Sequence, residues 1–346
     1  MPDVTRGFRT LRTIAYAVIV VVGSWYLLGQ LKAVLRPLLM AVFIAYVLMP
    51  YYNRLRKQMP AMLALALLGG LVVGVFAVVA AAVTGNLIDL TEQAPRLRER
   101  AVELIRDLTS RVRSLPFVPT GSDGPPPEEV LTARLADESL TLLNVVAVGI
   151  PEVLATGLYL MFLLLESARF PERVRKAYPA ERAEHILDVF GRVNAAIISY
   201  LKAKVFSSVI VAIPVGVILT VGGVRFAVLW AVLTFVCNFI PYIGSAVAYT
   251  LPVGFAFLQF GPAATPVVVA VLLAALHLTS ASVIEPMLLG RAVNMSPLVI
   301  LAALTLWGVL WGLPGMFLAV PLTVVLRIVL ENLEITRPVA RLLGGE

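Results

Sequence analysis

Long apolar segments constrain the fold of this chain more strongly than any other feature of its sequence. The segment Val267–Leu289, VVVAVLLAALHLTSASVIEPMLL, is long enough for a helix that crosses about 30 Å of hydrocarbon. Earlier runs of comparable character are Thr13–Leu28, Val34–Tyr51, Ala61–Thr84, Leu140–Leu165 and Val205–Val221. The sequence therefore predicts an all-α polytopic membrane protein, with about five to eight transmembrane helices.

Composition supports this class and excludes others. The chain is 60% hydrophobic and 14% charged, whereas soluble domains carry roughly a quarter charged residues. A single cysteine, Cys237, excludes a disulfide framework, and the separated His185 and His277 form no metal-ligand pair. The net charge of +7 fits basic cytoplasmic loops better than nucleic-acid binding. Because no nucleotide-binding or catalytic motif occurs, we expect neither an enzyme nor a cofactor.

Charge distribution predicts four segments. Residues 1–87 hold amino-terminal transmembrane helices, and residues 88–139 form an extracytoplasmic amphipathic helix and a Pro-rich loop. Residues 140–204 supply a transmembrane helix and a cytoplasmic connector, and residues 205–346 form the transport core. Basic residues concentrate before the first span, after the second and after the fourth, which predicts that both termini are cytoplasmic.

An apolar stripe marks the charged segment Leu97–Leu115, where leucine, valine and alanine recur at steps of three and four. This helix either faces a partner, lies in the membrane interface, continues the third span, or packs against its own chain. The segment Phe117–Val130 that follows is rich in proline, glycine and acidic residues, which predicts a mobile loop.

The last third of the chain contains two pairs of apolar runs, three of the four short, and each pair is broken by proline and glycine. The first pair is Phe226–Phe239 and Ala246–Phe260, and the second is Leu298–Trp311 and Met316–Leu333. We expect two helical hairpins of opposite membrane orientation, as in an inverted repeat. Broken backbone is tolerated at depth only where protein or a watery cavity satisfies it, so the breaks predict a substrate path. Ordinary turns outside the hydrocarbon are the alternative.

At the breaks, we expect Gly244 and Gly315 to adopt backbone conformations that a Cβ disfavours. Pro241 and Pro314 are expected to end the incoming half-helices by removing a donor. The complete predicted substrate or ion pathway comprises Asn238, Pro241, Tyr242, Gly244, Ser245, His277, Glu285, Pro286, Gly290, Arg291, Pro314, Gly315 and Pro321.

Two ionisable residues of the long span carry most of this prediction. Glu285 and His277 are about two helical turns apart, and such groups are costly in a membrane unless they serve a pathway or relay. Alternatively, Glu285 pairs with Arg291 at the cytoplasmic interface, and His277 makes one buried hydrogen bond. Lys204 is counted with the basic residues of the cytoplasmic connector, and Tyr200 is expected at the interface.

The segments Phe239–Val253 and Val283–Ile328 resemble the two signature regions of the autoinducer-2 exporter family of permeases. The run Glu285–Pro297 is the most specific part, whereas Ser245 stands where the family often has proline. The resemblance implies an oligomeric transporter of the bacterial cytoplasmic membrane. It implies export of the furanone autoinducer-2, although members are also linked to sodium/proton exchange.

Four functions stay open on the sequence. The first is export of a small polar metabolite such as autoinducer-2. The second is exchange of sodium or another cation for protons, with Glu285 as the group that titrates. The third alternative is a membrane scaffold or regulatory protein, which has no need of polar breaks at depth, and the fourth is a channel. The expected partners are the lipid bilayer, a small-molecule or ion substrate and further copies of the chain.

Overall fold

The computed structural model describes residues 15–16, 18–20, 22–113, 151–289, 295–332 and 336–343, and the regular elements within these ranges are helices. They are α1 (Val18–Gln30), α2 (Lys32–Leu55), α3 (Ala61–Arg113), α4 (Pro151–Glu166), α5 (Phe170–Ala177), α6 (Ala180–Val221), α7 (Ala227–Cys237), α8 (Ile243–Phe260), α9 (Ala264–Thr279), α10 (Glu285–Leu289), α11 (Pro297–Trp311), α12 (Leu313–Glu331) and α13 (Arg337–Leu343). A 3₁₀ turn at Ser167–Arg169 joins α4 to α5, and a π turn at Ser280–Ile284 joins α9 to α10. The predicted loop Phe117–Val130 lies outside the described residues.

Five helical segments are long and apolar enough to cross a membrane, namely α2, α6, α8, α12 and the continuous stretch Ala264–Leu288. A sixth results if α4 and α5, which meet at a bend of 65°, are counted as one broken span. The prediction of an all-α polytopic membrane protein is confirmed.

The third span and the amphipathic segment after it form one continuous helix. α3 contains 53 residues, which corresponds to about 80 Å at 1.5 Å per residue and far exceeds the hydrocarbon thickness. The described part of Leu97–Leu115 therefore continues the helix of the predicted third span, whereas a role in facing a partner or lying in the membrane interface stays a prediction. α3 also contacts α7 and α8, and Arg100 Nη1 donates to the backbone carbonyl of Gln259 at 2.7 Å.

The arms of the two predicted hairpins differ in length. The first arms are short, as predicted, with 11 residues in α7 and 15 in α11. The run Ala246–Phe260 was expected to be short as well, and this is wrong, because α8 has 18 residues; α12, with 19 residues, corresponds to the longer run Met316–Leu333. Each second arm gains length because its helix starts at the break itself, at Ile243 and Leu313. We call α7–α8 the first hairpin and α11–α12 the second hairpin.

Packing divides the chain into two units, each considered by itself. One unit comprises Met1–Met49, Pro151–Asn194 and Asn294–Glu346, and the other comprises Pro50–Ile150 and Ala195–Val293. The second hairpin belongs to the former and the first hairpin to the latter. These units follow packing, whereas the four predicted segments follow placement in the membrane, so that division stays a prediction.

The unit that holds the first hairpin has its apolar core along one face of α6. Val211, Val215 and Leu219 recur every four residues and are almost fully buried. Around them pack Val224, Phe226, Phe255, Ala256, Val269 and Leu273. Because lipid tails are as apolar as these side chains, close van der Waals packing rather than escape from water holds such a core together in a membrane.

Candidate functional site

The first hairpin turns through a strained tip. Tyr242 has φ 61° and ψ −60°, and the N–H of Ile243 donates to the carbonyl of Pro241 at 2.7 Å. This is a γ-turn with positive φ at its centre, a conformation that is rare in proteins. A residue other than glycine held there costs on the order of 1–3 kcal/mol, and such strain concentrates at functional sites.

Gly244 is required by close packing rather than by an unusual φ. It lies within α8, and a Cβ on it would overlap the carbonyl oxygen of Cys237 and lie 2.6 Å from the carbonyl carbon. The expected special backbone conformation is therefore wrong for Gly244; positive φ falls on Tyr242 instead. Ser245 donates its hydroxyl to the carbonyl of Tyr242 at 3.0 Å and so braces the same turn.

The second hairpin repeats the close packing with different turn chemistry. A Cβ on Gly315 would overlap the carbonyl oxygen of Trp307, and Gly312, with φ 68°, is the residue that reverses the chain. Pro314 lies in the first turn of α12, where its missing N–H costs nothing. The expectation that it ends the incoming helix is wrong, since α11 ends at Trp311. Likewise, α7 has already ended at Cys237, before Pro241.

A row of polar side chains interrupts the buried face of α6. Tyr200, Lys204, Ser207 and Ser208 follow one another at helical spacing, so they share one face, and all four are buried. Only 2% of Lys204 is exposed, although its sequence context suggested a cytoplasmic connector. An ammonium group in such a place is costly unless it is paired.

Lys204 is paired on two sides. Its Nζ donates to Glu285 Oε1 at 2.8 Å and to the backbone carbonyl of Asn238 at 3.0 Å. Asn238 is the C-terminal cap of α7, so its carbonyl lies where helix carbonyls have no partner within the helix. The positive charge therefore sits at the negative end of the α7 dipole, and the broken helix supplies a ligand that an unbroken helix would not.

The Asn238 side chain joins the same group. Its Nδ2 donates to Ser208 Oγ at 3.1 Å and, more weakly, to Ser207 Oγ at 3.4 Å. Both the backbone carbonyl and the side chain of Asn238 thus bond to α6, and they fix the end of α7 against that helix. We call Tyr200, Lys204, Ser207, Ser208, Asn238 and Glu285 the α6 polar cluster.

Glu285 reaches this cluster from an irregular helix. It follows the π turn Ser280–Ile284 directly, and such turns occur mostly as single-turn bulges that are frequent at functional sites. Pro286 explains the widening, because in a regular helix its ring would clash with the carbonyl of Ser282.

His277 and Glu285 have different partners. His277 Nδ1 lies 2.9 Å from the carbonyl of Leu273, and its ring packs edge-on against Tyr249, with centroids 6.1 Å apart. His277 Nε2 is buried and has no hydrogen-bond partner in the described part of the chain. Gly290 and Arg291 lie outside the described residues, so a pair between Glu285 and Arg291 stays a prediction; among the described residues, Glu285 pairs with Lys204.

The predicted site residues are thus placed in several surroundings. Asn238 and Glu285 meet at Lys204, whereas Pro241, Tyr242, Gly244 and Ser245 build the first tip. Pro314 and Gly315 build the second tip, Pro321 is buried within α12, and Pro286 is exposed. Sequence reasoning missed Lys204, Ser207 and Ser208, although polar residues at helical spacing within a long apolar helix would have pointed to them. Over the described ranges, no group of three or more His, Cys, Asp or Glu could hold a metal ion.

Known proteins resemble this chain over nearly its whole length. The AI-2E family transporter profile matches residues 14–335. A candidate transport protein of Haemophilus influenzae is 30% identical over 97% of this chain and 96% of its own. The candidate transport protein YhhT of Escherichia coli K12 is 29% identical over 99% of this chain and 96% of its own. The AI-2 transport protein TqsA of the same strain is 30% identical over 89% of this chain and 88% of its own. A match of this extent, on a chain with several spanning helices, identifies a multi-pass membrane protein of a transporter family rather than an enzyme. The chain belongs to the AI-2E family of transporters.

Proposed function

We propose that this transporter exports a small polar metabolite such as autoinducer-2 across the bacterial cytoplasmic membrane, with both of its own termini in the cytoplasm. The observation that carries the proposal is the α6 polar cluster, a buried group of donors and acceptors at the point where α7 breaks off. Support for the substrate comes from the similarity to a protein named for AI-2 transport.

The charges of the cluster favour an uncharged solute. The Lys204 ammonium is matched by the Glu285 carboxylate and by the α7 carboxyl end, so neither sign is in clear excess. Hydroxyl and amide groups of Ser207, Ser208 and Asn238 lie beside this pair. Such groups suit a furanone, whose oxygen atoms exchange hydrogen bonds with them without bringing an unpaired charge into the membrane.

Flux of autoinducer-2 into proteoliposomes tests the proposal. We expect uptake by vesicles that contain the purified protein, and uptake close to that of empty vesicles for Lys204→Met. Its matched control is Lys202→Met, since Lys202 lies on the same helix but is exposed. Equal flux in protein-containing and empty vesicles would contradict the proposal.

Exchange of a cation for protons is the second candidate, and the Lys204–Glu285 ion pair is what favours it. A partly buried carboxylate such as Glu285, once released from its lysine, can accept a proton or a small cation. Imposed sodium and proton gradients separate the candidates, because exchange requires a gradient of one ion to move the other. Under exchange, Glu285→Gln flattens the pH dependence of flux; under metabolite export alone, it lowers flux with the pH profile intact.

A further inference from the structure

Tyr200 is a member of the α6 polar cluster with unused hydrogen-bonding capacity. The residue is only 2% exposed, and its hydroxyl oxygen has no hydrogen-bond partner in the portion of the chain described here. Lys204, Ser207, Ser208, Asn238 and Glu285 each make at least one hydrogen bond within the cluster.

The position of this hydroxyl relates it to the ion pair. Tyr200 precedes Lys204 by one turn of α6 and lies on the same face, and Lys204 in turn is bonded to Glu285. A buried hydroxyl without a partner destabilises a fold compared with a phenyl ring of the same shape. Packing alone would therefore be served better by phenylalanine.

We propose that the Tyr200 hydroxyl is a specificity-determining contact that binds an oxygen atom of the transported solute. The inference rests on the proposed function and names a residue that acts in it. Because Lys204 and Asn238 are already bonded to cluster members, a solute gains the Tyr200 hydrogen bond without first breaking another one. An apolar solute of equal size gains nothing from it, so the hydroxyl selects for oxygen-rich solutes.

Tyr200→Phe tests this inference by two measurements, the KM of flux and the midpoint of thermal unfolding. A hydroxyl that binds solute affects the KM, whereas a hydroxyl that stabilises the fold affects the unfolding midpoint. In autoinducer-2 flux measured over a range of concentrations, we expect KM to rise roughly two- to tenfold with the maximal rate retained, as for one lost hydrogen bond between uncharged groups. In thermal unfolding without solute, the midpoint should equal or exceed that of the wild type. Tyr52→Phe is the matched control, since Tyr52 lies in the same unit and is 1% exposed; its KM should not change.

Each contrary outcome has a distinct meaning. An unchanged KM for Tyr200→Phe, beside an active wild type, overturns the inference and leaves the proposed function standing. A lowered unfolding midpoint overturns it as well, because the hydroxyl then has a structural partner. Absence of autoinducer-2 flux in the wild type overturns the proposed function, and this inference with it.

Discussion

The two hairpins pack their arms together by the same kind of contact, but they differ in the residue at which the chain reverses. In both, a glycine near the start of the second arm lies against a backbone carbonyl of the first arm, Cys237 for Gly244 and Trp307 for Gly315. The chain reverses at Gly312 in the second hairpin, where positive φ is cheap, but at Tyr242 in the first, where it is strained. The first hairpin thus keeps a locally unfavourable residue where the second uses the favourable one.

The cations near the two breaks differ as well. At the first break, Lys204 is held by a carboxylate and by a backbone carbonyl. At the second break, Arg36 Nη2 lies 3.7 Å from where a Cβ of Gly312 would be, and Arg36 Nε is buried without a partner among the described residues. The glycine contact is therefore common to both hairpins and holds their arms together. Within the described part of the chain, the strained residue and the paired cation are found at the break of the first hairpin and not at that of the second, which makes the first hairpin the better candidate for a functional site.

The largest expected effect comes from the feature the hairpins share. Gly244→Ala and Gly315→Ala each place a methyl group inside a backbone carbonyl contact that cannot yield without separating the two arms. We expect each to lower the free energy of unfolding by about 4 kcal/mol or more, measured by thermal unfolding in detergent.

Gly254→Ala is the control, since it lies on α8 with open space around its Cβ position. It should be neutral or slightly stabilising, because alanine favours a helix over glycine. A mild effect of Gly244→Ala beside a severe effect of Gly315→Ala would break the comparison, since it would mean that the two contacts are not equivalent.

The next effect separates the two cations. Lys204→Met leaves Glu285 without its partner and the Asn238 carbonyl without its donor, which should cost about 3 kcal/mol of stability. Arg36→Met removes a guanidinium with an unsatisfied buried nitrogen, so we expect little or no loss in the same unfolding measurement. Equal losses would show that Arg36 is paired as tightly as Lys204.

A double variant, Lys204→Met with Glu285→Gln, sharpens this result. Because it removes both charges together, its loss of stability should be smaller than that of Lys204→Met alone. A loss of stability equal to the sum of the losses in the two single variants would instead show that the ion pair does not explain the effect of Lys204→Met.

The smallest expected effect concerns the tips. Tyr242→Gly removes the Cβ from a residue held at positive φ and should stabilise the protein by about 1 kcal/mol. Gly312→Ala adds a Cβ to a residue held at positive φ and should destabilise it by about 1 kcal/mol. Thermal unfolding of both variants checks the opposite signs. If the strain at Tyr242 serves transport, Tyr242→Gly also lowers autoinducer-2 flux despite its greater stability; a gain in both would contradict this.

Sequence alone predicts the elements of this fold far better than the contacts of its site. Segment lengths predict several of the spans, and the clusters of proline and glycine predict both breaks, because hydrocarbon thickness and turn chemistry act locally along the chain. The role of Lys204 was not predicted, because a lysine beside an apolar span was interpreted as a sign of the cytoplasmic side. Its partners are 34 and 81 residues away in sequence, so no local pattern reveals them. Gly244 and Gly315 were recognised, yet for a wrong reason, since a contact between two helices leaves no mark in local sequence.

The continuous α3 has a mechanical consequence. A helix of 53 residues is a stiff rod, and its charged part carries Arg100, which is bonded to Gln259 in the last turn of α8. The Gln259 side chain accepts a hydrogen bond from the N–H of Arg225 and donates to the carbonyl of Gly223, just before α7. These hydrogen bonds connect the charged part of α3 to both ends of the first hairpin, on the side opposite its tip, so a displacement of this part of α3 would act on both arms together.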